Sequence, residues 1–351
     1  MAVVLAYRAL GLGDFLTGVP AYRALKRAYP DHRLLLAAPI ALEPLARLTH
    51  AIDEVVDTQP LGPAPEGADL AVNLHGKGPQ SHAVLGAAKP KRLIAFTPAT
   101  WDPYEHEVVR WCRLLEEHGI PAEPDDLDLD PPPRPSPVPG ATVVHPGAAS
   151  PARRWPAERW RAIARHELER GHTVAITGNR DEAIDVPGTI DLTGKTDLLT
   201  LASIVAHAGR VICGDTGVGH LATAFGTPSL VLYGPTPPSE WGPPPYREQH
   251  HTLWAGRRGD PHGQTPDPGL LQIQVADVLA ALPLGTTINM SLTDKVTGRI
   301  KKAAGDLTDD ASLRREGRDE ERKGEAKDDL ARTQEKADAK AEEVANLERR
   351  T

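Results

Sequence analysis

The chain reads as an α/β protein built from two doubly wound halves, and three observations carry that reading. Short apolar runs, fit for strands buried on both faces, alternate with amphipathic helical stretches, which is the pattern of βαβ units around a parallel sheet. The alternation stops at a proline-dense stretch, Asp125 to Pro139 (DDLDLDPPPRPSPVP), and restarts after it. The 351-residue length also suits two domains with an appendage. Residues 1–130 and 140–285 are thereby the two halves and 131–139 a stiff extended linker, since so many prolines can neither continue a helix nor donate to a ladder. Two such halves leave a cleft between them, where ligands bind.

Taken in order, Ala2 to Tyr7 is a continuous apolar run and the first strand. Gly11-Leu12-Gly13-Asp14 turns the chain into a helix from Phe15 to Tyr29, with Leu16, Val19, Leu25 and Ala28 on one side. A strand over Leu34 to Ala37, a helix over Leu42 to Leu48 and a strand over Asp69 to Leu74 follow. Beyond the linker come a strand (Thr142 to His145), a helix (Ala157 to Arg170), a strand (Thr173 to Thr177) and a helix near Leu198 to His207. Cys213 to Pro237, the stretch on which the second half turns, then reads as a strand end, a tight turn (Gly214 to Gly217) and a helix from Val218 to Phe225. After it come a buried strand (Ser229 to Tyr233) and a second small-residue turn at Gly234-Pro235-Thr236.

Composition narrows the class. Thirty-four prolines and 31 glycines mean many short loops rather than long bundles, and with three Phe the cores are built from Leu, Val and Ala. A net charge of −8 argues against general nucleic-acid binding. Cys112 and Cys213 form no disulfide framework and no zinc spacing, which points to a reducing, cytoplasmic setting. No apolar run reaches membrane-spanning length and the start lacks the features of a signal peptide, while a peripheral contact with lipid is left open. From Met290 to Thr351 the chain has no aromatic, cysteine or histidine and weakly repeats Gly-Arg-x5-Gly (from Gly298 and from Gly317). That composition predicts marginal helices or disorder.

Several strand-to-helix turns carry groups suited to chemistry. Gly11-Leu12-Gly13-Asp14 is not a dinucleotide fingerprint, because its third glycine would fall at Leu16. It leaves Asp14 as a general base or acceptor-hydroxyl ligand, or else a helix N-cap. In the second half, His145 to Ser150 with Arg153 and Arg154 forms a small-residue turn beside a guanidinium pair. A second turn, Asp215 to Gly219, opens a helix. Backbone N–H groups at such a turn and the helix dipole suit an anion such as a diphosphate. Asn73, His75 and Gln80 end a first-half strand, where they face the cleft as hydroxyl ligands or serve as ordinary loop residues. The remaining histidines show no metal-ligand grouping, and Thr193-Gly194-Lys195-Thr196 is too short for a phosphate-binding Walker loop.

These residues resemble a known family. LGDFLTGVPAYRALKRAYP near the start, HPGAASPARRWPAERW, and DLTGKTDLLTLASIVAHAGRVICGDTGVGHLATAFGTPSLVLYGPT are similar to the signatures of glycosyltransferase family 9, the heptosyltransferase-like enzymes, over about residues 1–283. The resemblance implies a GT-B fold with the acceptor on the first domain and the nucleotide-sugar on the second. It also implies metal-independent, inverting transfer from an ADP-heptose-like donor to a glycan, glycolipid or other hydroxyl, with no cofactor. Carried over, Asp14 is the catalytic base, with Gly13, Asn73, His75 and Gln80 on the acceptor side. Arg153, Arg154, Asp215, Thr216, Gly217, Val218, Gly219 and His220 surround the donor diphosphate; Thr193, Gly194 and Leu198 lie beside the nucleotide. Arg153 stands where many members have lysine, and the charge of Asp215 would repel phosphate. Asp215 is therefore expected to cap the helix while neighbouring N–H groups bind. The tail, about 290–351, resembles the CsbD-like stress-response family. The alternatives are a nucleotide-sugar epimerase of the same fold and a non-catalytic stress-related binding protein.

Overall fold

A computed structural model describes residues 2–282, and over them the alternation of strand and helix becomes two parallel sheets. The first lobe has strands β1 (Val3–Tyr7), β2 (Arg33–Ala38), β3 (Glu54–Asp57), β4 (Leu70–Asn73) and β5 (Leu93–Ile94), ordered β3-β2-β1-β4-β5. Its helices are α1 (Leu12–Thr17), α2 (Val19–Ala28), α3 (Glu43–Leu48), α4 (Gln80–Ala87) and α5 (Glu107–Glu116). The second lobe has β6 (Thr142–His145), β7 (Val174–Ile176), β8 (Ile190–Asp191), β9 (Arg210–Gly214), β10 (Ser229–Tyr233) and β11 (His250–Trp254), ordered β11-β10-β9-β6-β7-β8. Its helices are α6 (Ala157–Glu169), α7 (Leu198–Ala206), α8 (Gly217–Ala224), α9 (Pro238–Trp241), α10 (Pro268–Gln272) and α11 (Val275–Ala280). All strand pairs are parallel.

Both orders reverse direction once, between β1 and β4 in the first sheet and between β6 and β9 in the second. At such a switch point the loops leaving adjacent strands diverge and open a crevice at the strands' carboxyl ends. The turn holding Asp14 and the loop holding His75 leave β1 and β4; the His145–Ser150 and Asp215–Gly217 turns leave β6 and β9.

Successive side chains of a strand face opposite ways, so each sheet builds a core on both sides. Val4 and Ala6 pack with α1, α2 and α5, while Leu5 and Tyr7 pack on the other face. In the second lobe Val143, Val211 and Cys213 face one way, and Val144 and Ile212 face Trp155, Trp160 and Ile163. The inner cores of the two lobes run together into one apolar cluster. Each large side chain buried there stabilises the fold by about 1.5–3 kcal/mol over its exposed state.

The helix expected over Phe15 to Tyr29 is two helices broken at Gly18. Pro20 has no N–H to donate back to Leu16, and a side chain on Gly18 would collide with the Tyr22 hydroxyl and crowd Arg8. Residues 131–139 carry no helix or strand, and Arg134 there pairs with Asp197 at 2.8 Å. The tail with its CsbD-like reading lies outside the described residues.

Across the seam, α1 packs directly on α8, and glycines set how near they come. A Cβ on Gly13 would lie 2.9 Å from His220 Cδ2, and one on Gly217 would lie 2.8 Å from Leu12 Cβ. Gly217→Ala should therefore force the helices apart. The expected cost is about 1–3 kcal/mol, read as a lower melting temperature or as a larger radius of gyration in small-angle scattering. Wild-type values of both would show that this contact does not hold the lobes.

Candidate active site in the cleft between the sheets

Asp14 sits in the first turn of α1, which begins after the short loop that follows the end of β1 at Tyr7. It is not the N-cap; Gly11 is, without a side-chain bond. Behind it stands Arg8, whose side chain has no exposed surface, against 30% for the Asp14 side chain. Arg8 Nε donates to the Asp14 carbonyl and Nη1 to the Leu74 carbonyl. Its Nη2 reaches Thr17 Oγ1 at 3.0 Å, Glu107 Oε1 at 2.9 Å and Asp14 Oδ1 at 3.4 Å. Burial pushes the Asp14 carboxyl above the ordinary carboxylate range, Arg8 pulls it down, and Glu107 pushes with burial. The product is a carboxylate open to the cleft and more basic than a surface aspartate.

Opposite it, β9 ends in Gly214 and α8 begins at Gly217 with Thr216 as N-cap. The Thr216 side chain makes no capping bond, so the first turn of α8 presents its amides and positive dipole end without a side-chain acceptor. The expectation that Asp215 caps this helix is not met. Its amide donates to the Leu232 carbonyl at 3.0 Å, which continues the β9–β10 ladder, and Thr216 holds the N-cap position instead. Its carboxylate lies 3.7 Å from Arg153 Nη1, which also donates to the Asp215 carbonyl at 3.4 Å. Burial raises the Asp215 carboxyl, Arg153 draws it back, and Asp14 across the seam adds to the rise. Arg154 is turned to the other side of the loop, donating to the Ala148 carbonyl at 2.9 Å and lying 3.5 Å from Glu182.

A carboxylate on one switch point thus faces an uncapped helix start and a guanidinium on the other. The family model of glycosyltransferase family 9 (heptosyltransferase) matches residues 84–268, more than half of the chain. The chain belongs to this family. It is 33% identical over 112 residues to lipooligosaccharide heptosyltransferase 2 of Haemophilus influenzae, covering 28% of this chain and 32% of that protein. It is 29% identical over 158 residues to lipopolysaccharide heptosyltransferase 1 of Pseudomonas aeruginosa, covering 41% and 44%. The chain therefore spans less than half the length of these curated relatives. ADP-heptose LPS heptosyltransferase II of Escherichia coli superposes with a TM-score of 0.61 at 19% identity, over 80% of this chain and 97% of that one. That likeness shows the GT-B fold, two Rossmann-like lobes around a cleft.

Within this family 9 chain the other residues singled out by sequence fall into four groups. Gly13 and His220 meet at the seam, and burial lowers His220 to about 4, so the ring is neutral. Gly217, Val218 and Gly219 form the first turn of α8, Gly219 close against Val231. Thr193 and Gly194 follow the edge strand β8. The Thr193 hydroxyl and amide are both held by Asp191, and the Gly194 amide donates to Gly178 at 2.8 Å. Leu198 opens α7. On the first lobe Asn73 is fully buried and turned to its own loop, donating to Gly76 at 3.1 Å and Ser81 at 2.9 Å, so it braces the loop rather than facing the cleft. His75 packs on Tyr7 with its Nδ1 buried and without a partner, and Gln80 lies exposed at the start of α4. Among the described residues, no three or more His, Cys, Asp or Glu are grouped to hold a metal ion.

Three charged residues escaped the sequence reading. Arg8 is signalled only as a charge ending an apolar run. Glu107 opens α5 with no local sign of its partner. Glu182 lies three after Asn179, the spacing of a capping box, and its carboxylate fills the space that a side chain on Gly147 would need.

His145, at the end of β6, is buried and bonded to Thr177 Oγ1 at 3.0 Å, and burial lowers it to about 4. The unfolded imidazole takes up a proton near pH 6.5, whereas the folded one does so only near 4. Its stabilisation is therefore complete above pH 6.5 and lost as pH falls toward 4. His145→Gln should remove on the order of 2–3 kcal/mol of the acid-dependent loss between those limits, measured by denaturant unfolding across that range. Identical pH slopes for the two proteins would contradict it.

Proposed function

We propose that this chain is an inverting glycosyltransferase that moves a heptose-type sugar from an ADP-sugar to a hydroxyl of a glycan or glycolipid, without a metal ion. The observation that carries this reading is the juxtaposition of Asp14 with the α8 start and Arg153 across a glycine-lined seam. The kinship with an enzyme described by its ADP-heptose donor supports the donor class.

In this reading the donor lies over the carboxyl ends of β6 and β9. Arg153 and the amides at the very start of α8, from Thr216 to Val218, meet the diphosphate with Gly219 and His220 close behind them. Arg154 braces the loop from its other side, and Thr193, Gly194 and Leu198 line the nucleotide. The acceptor lies over β1 and β4, near Gly13, His75 and Gln80. Asp14 takes the proton of the attacking hydroxyl as the new bond forms between that oxygen and the anomeric carbon. The bond to the diphosphate breaks on the opposite face, and its developing charge is met by preorganised N–H donors and the guanidinium. Inversion follows from that single displacement. Asp215 holds Arg153 in place and orders the loop. Two free, buried cysteines fit a cytoplasmic site of action, and a glycolipid acceptor would bring the protein to a membrane surface.

A thermal-shift series with ADP-, GDP-, UDP- and dTDP-sugars should show stabilisation by the ADP-sugar first. Asp14→Asn should keep donor binding within a few-fold and lose transfer by about 10²–10⁴-fold. Near-normal turnover of that variant would overturn the base assignment, and conversion of the donor without any acceptor would identify an epimerase instead.

A further inference from the structure

We propose that Arg8 and Glu107 form a positioning pair for Asp14: Arg8 aims the carboxylate into the cleft, and Glu107 offsets the charge of Arg8 so that Asp14 is oriented yet remains able to accept a proton. The proposal rests on Asp14 being the base.

The geometry is that of a shared donor. Arg8 Nη2 is divided between Glu107 Oε1 at 2.9 Å and Asp14 Oδ1 at 3.4 Å, so the shorter contact goes to the residue that never meets the cleft. Glu107 is in turn held by Arg110 and by Trp111 Nε1 at 2.9 Å, and the Trp111 ring lies 4.9 Å from the Arg8 guanidinium carbon. Arg8 and Glu107 side chains are 0% and 6% exposed, so water does not screen them from each other. Arg8 also fixes the backbone on either side of the site, through the Asp14 and Leu74 carbonyls, so the same group sets both the direction and the charge of the carboxylate.

Three other ionisable groups lie around Asp14. The Tyr22 hydroxyl on α2 is held protonated by burial, and His220 on α8 is neutral. Asp215 beyond β9 is paired with Arg153. Arg8, bonded to Asp14 directly, and Glu107, which reaches it through Arg8, are the two charges that act on the Asp14 carboxyl, and they act with opposite sign. Glu107→Gln keeps the shape and an acceptor oxygen but removes the charge that offsets Arg8. An unopposed guanidinium lowers a neighbouring carboxyl and weakens it as a base.

The test uses the full chain labelled with ¹³C at aspartate carboxyls, where the Asp14 signal is the one missing from Asp14→Asn. In Glu107→Gln its titration midpoint should move down by about one pH unit, and the acid limb of kcat/KM with ADP-heptose should move with it. Arg8→Lys keeps the charge but cannot serve all its oxygens at once, and should lower kcat about tenfold or more with donor KM little changed. It also carries the test if Glu107→Gln does not fold. An unmoved midpoint in folded Glu107→Gln, or wild-type kcat in Arg8→Lys, overturns the pair. Full turnover in Asp14→Asn overturns the base reading alone, since the carboxyl midpoint still reports the coupling.

Discussion

A guanidinium with no exposed surface must be surrounded by oxygen, because an unpaired charge in a protein interior costs several kcal/mol. Much of the first lobe follows from meeting that demand at Arg8. The end of β1 supplies the cation, α1 a carbonyl, a hydroxyl and a carboxylate, the chain just past β4 a carbonyl, and α5 the balancing Glu107. Four elements are thereby tied at one point, and that point is the crevice where the strand order reverses. Gly18 belongs to the same constraint, since any side chain there would displace Tyr22 and press on Arg8.

The second lobe solves a different problem at the matching place. Its loops leave donors rather than a carboxylate: an uncapped helix start, and a guanidinium kept in position by the buried Asp215. Asp215 serves better there than as a cap. A carboxylate turned onto the first amides of α8 would occupy the groups an anion needs, whereas one paired with Arg153 leaves them open. Glycines at 13 and 217 then allow the two dissimilar crevices to face each other at contact distance. The chemical asymmetry of the cleft, a carboxylate on one wall and a guanidinium with an uncapped helix start on the other, is thus a consequence of what each switch point carries.

How much of this was legible varied with the length of the element. β1, β2, β4, β6, β9 and β10 are apolar runs bounded by turns, and they stand out. β5 and β8 are two residues long, β3 has only two apolar residues between exposed charged ends, and β11 is rich in histidine, so periodicity has little to act on. The break at Gly18 was readable in principle from Pro20, yet the apolar spacing runs across it and favoured a single helix. Asp14 and the Asp215–Gly219 turn were legible as strand-to-helix turns of a parallel sheet. Asn73 was legible as a strand end but not as a residue spent on its own loop.

Local pattern by itself determined the fold class, the places where strands give way to helices and the turns that carry ionisable groups, since periodicity and turn chemistry act within a few residues. Only the tertiary structure decided which groups meet. Glu107 lies 99 positions from Arg8, and Asp215 lies 62 from Arg153. Nothing in the residues around either member announces its partner, because a buried charge requires some opposite charge nearby and leaves its address in the chain unspecified. The strand order and the packing of α1 on α8 supply that address, and with it the distances that turn scattered polar residues into a site.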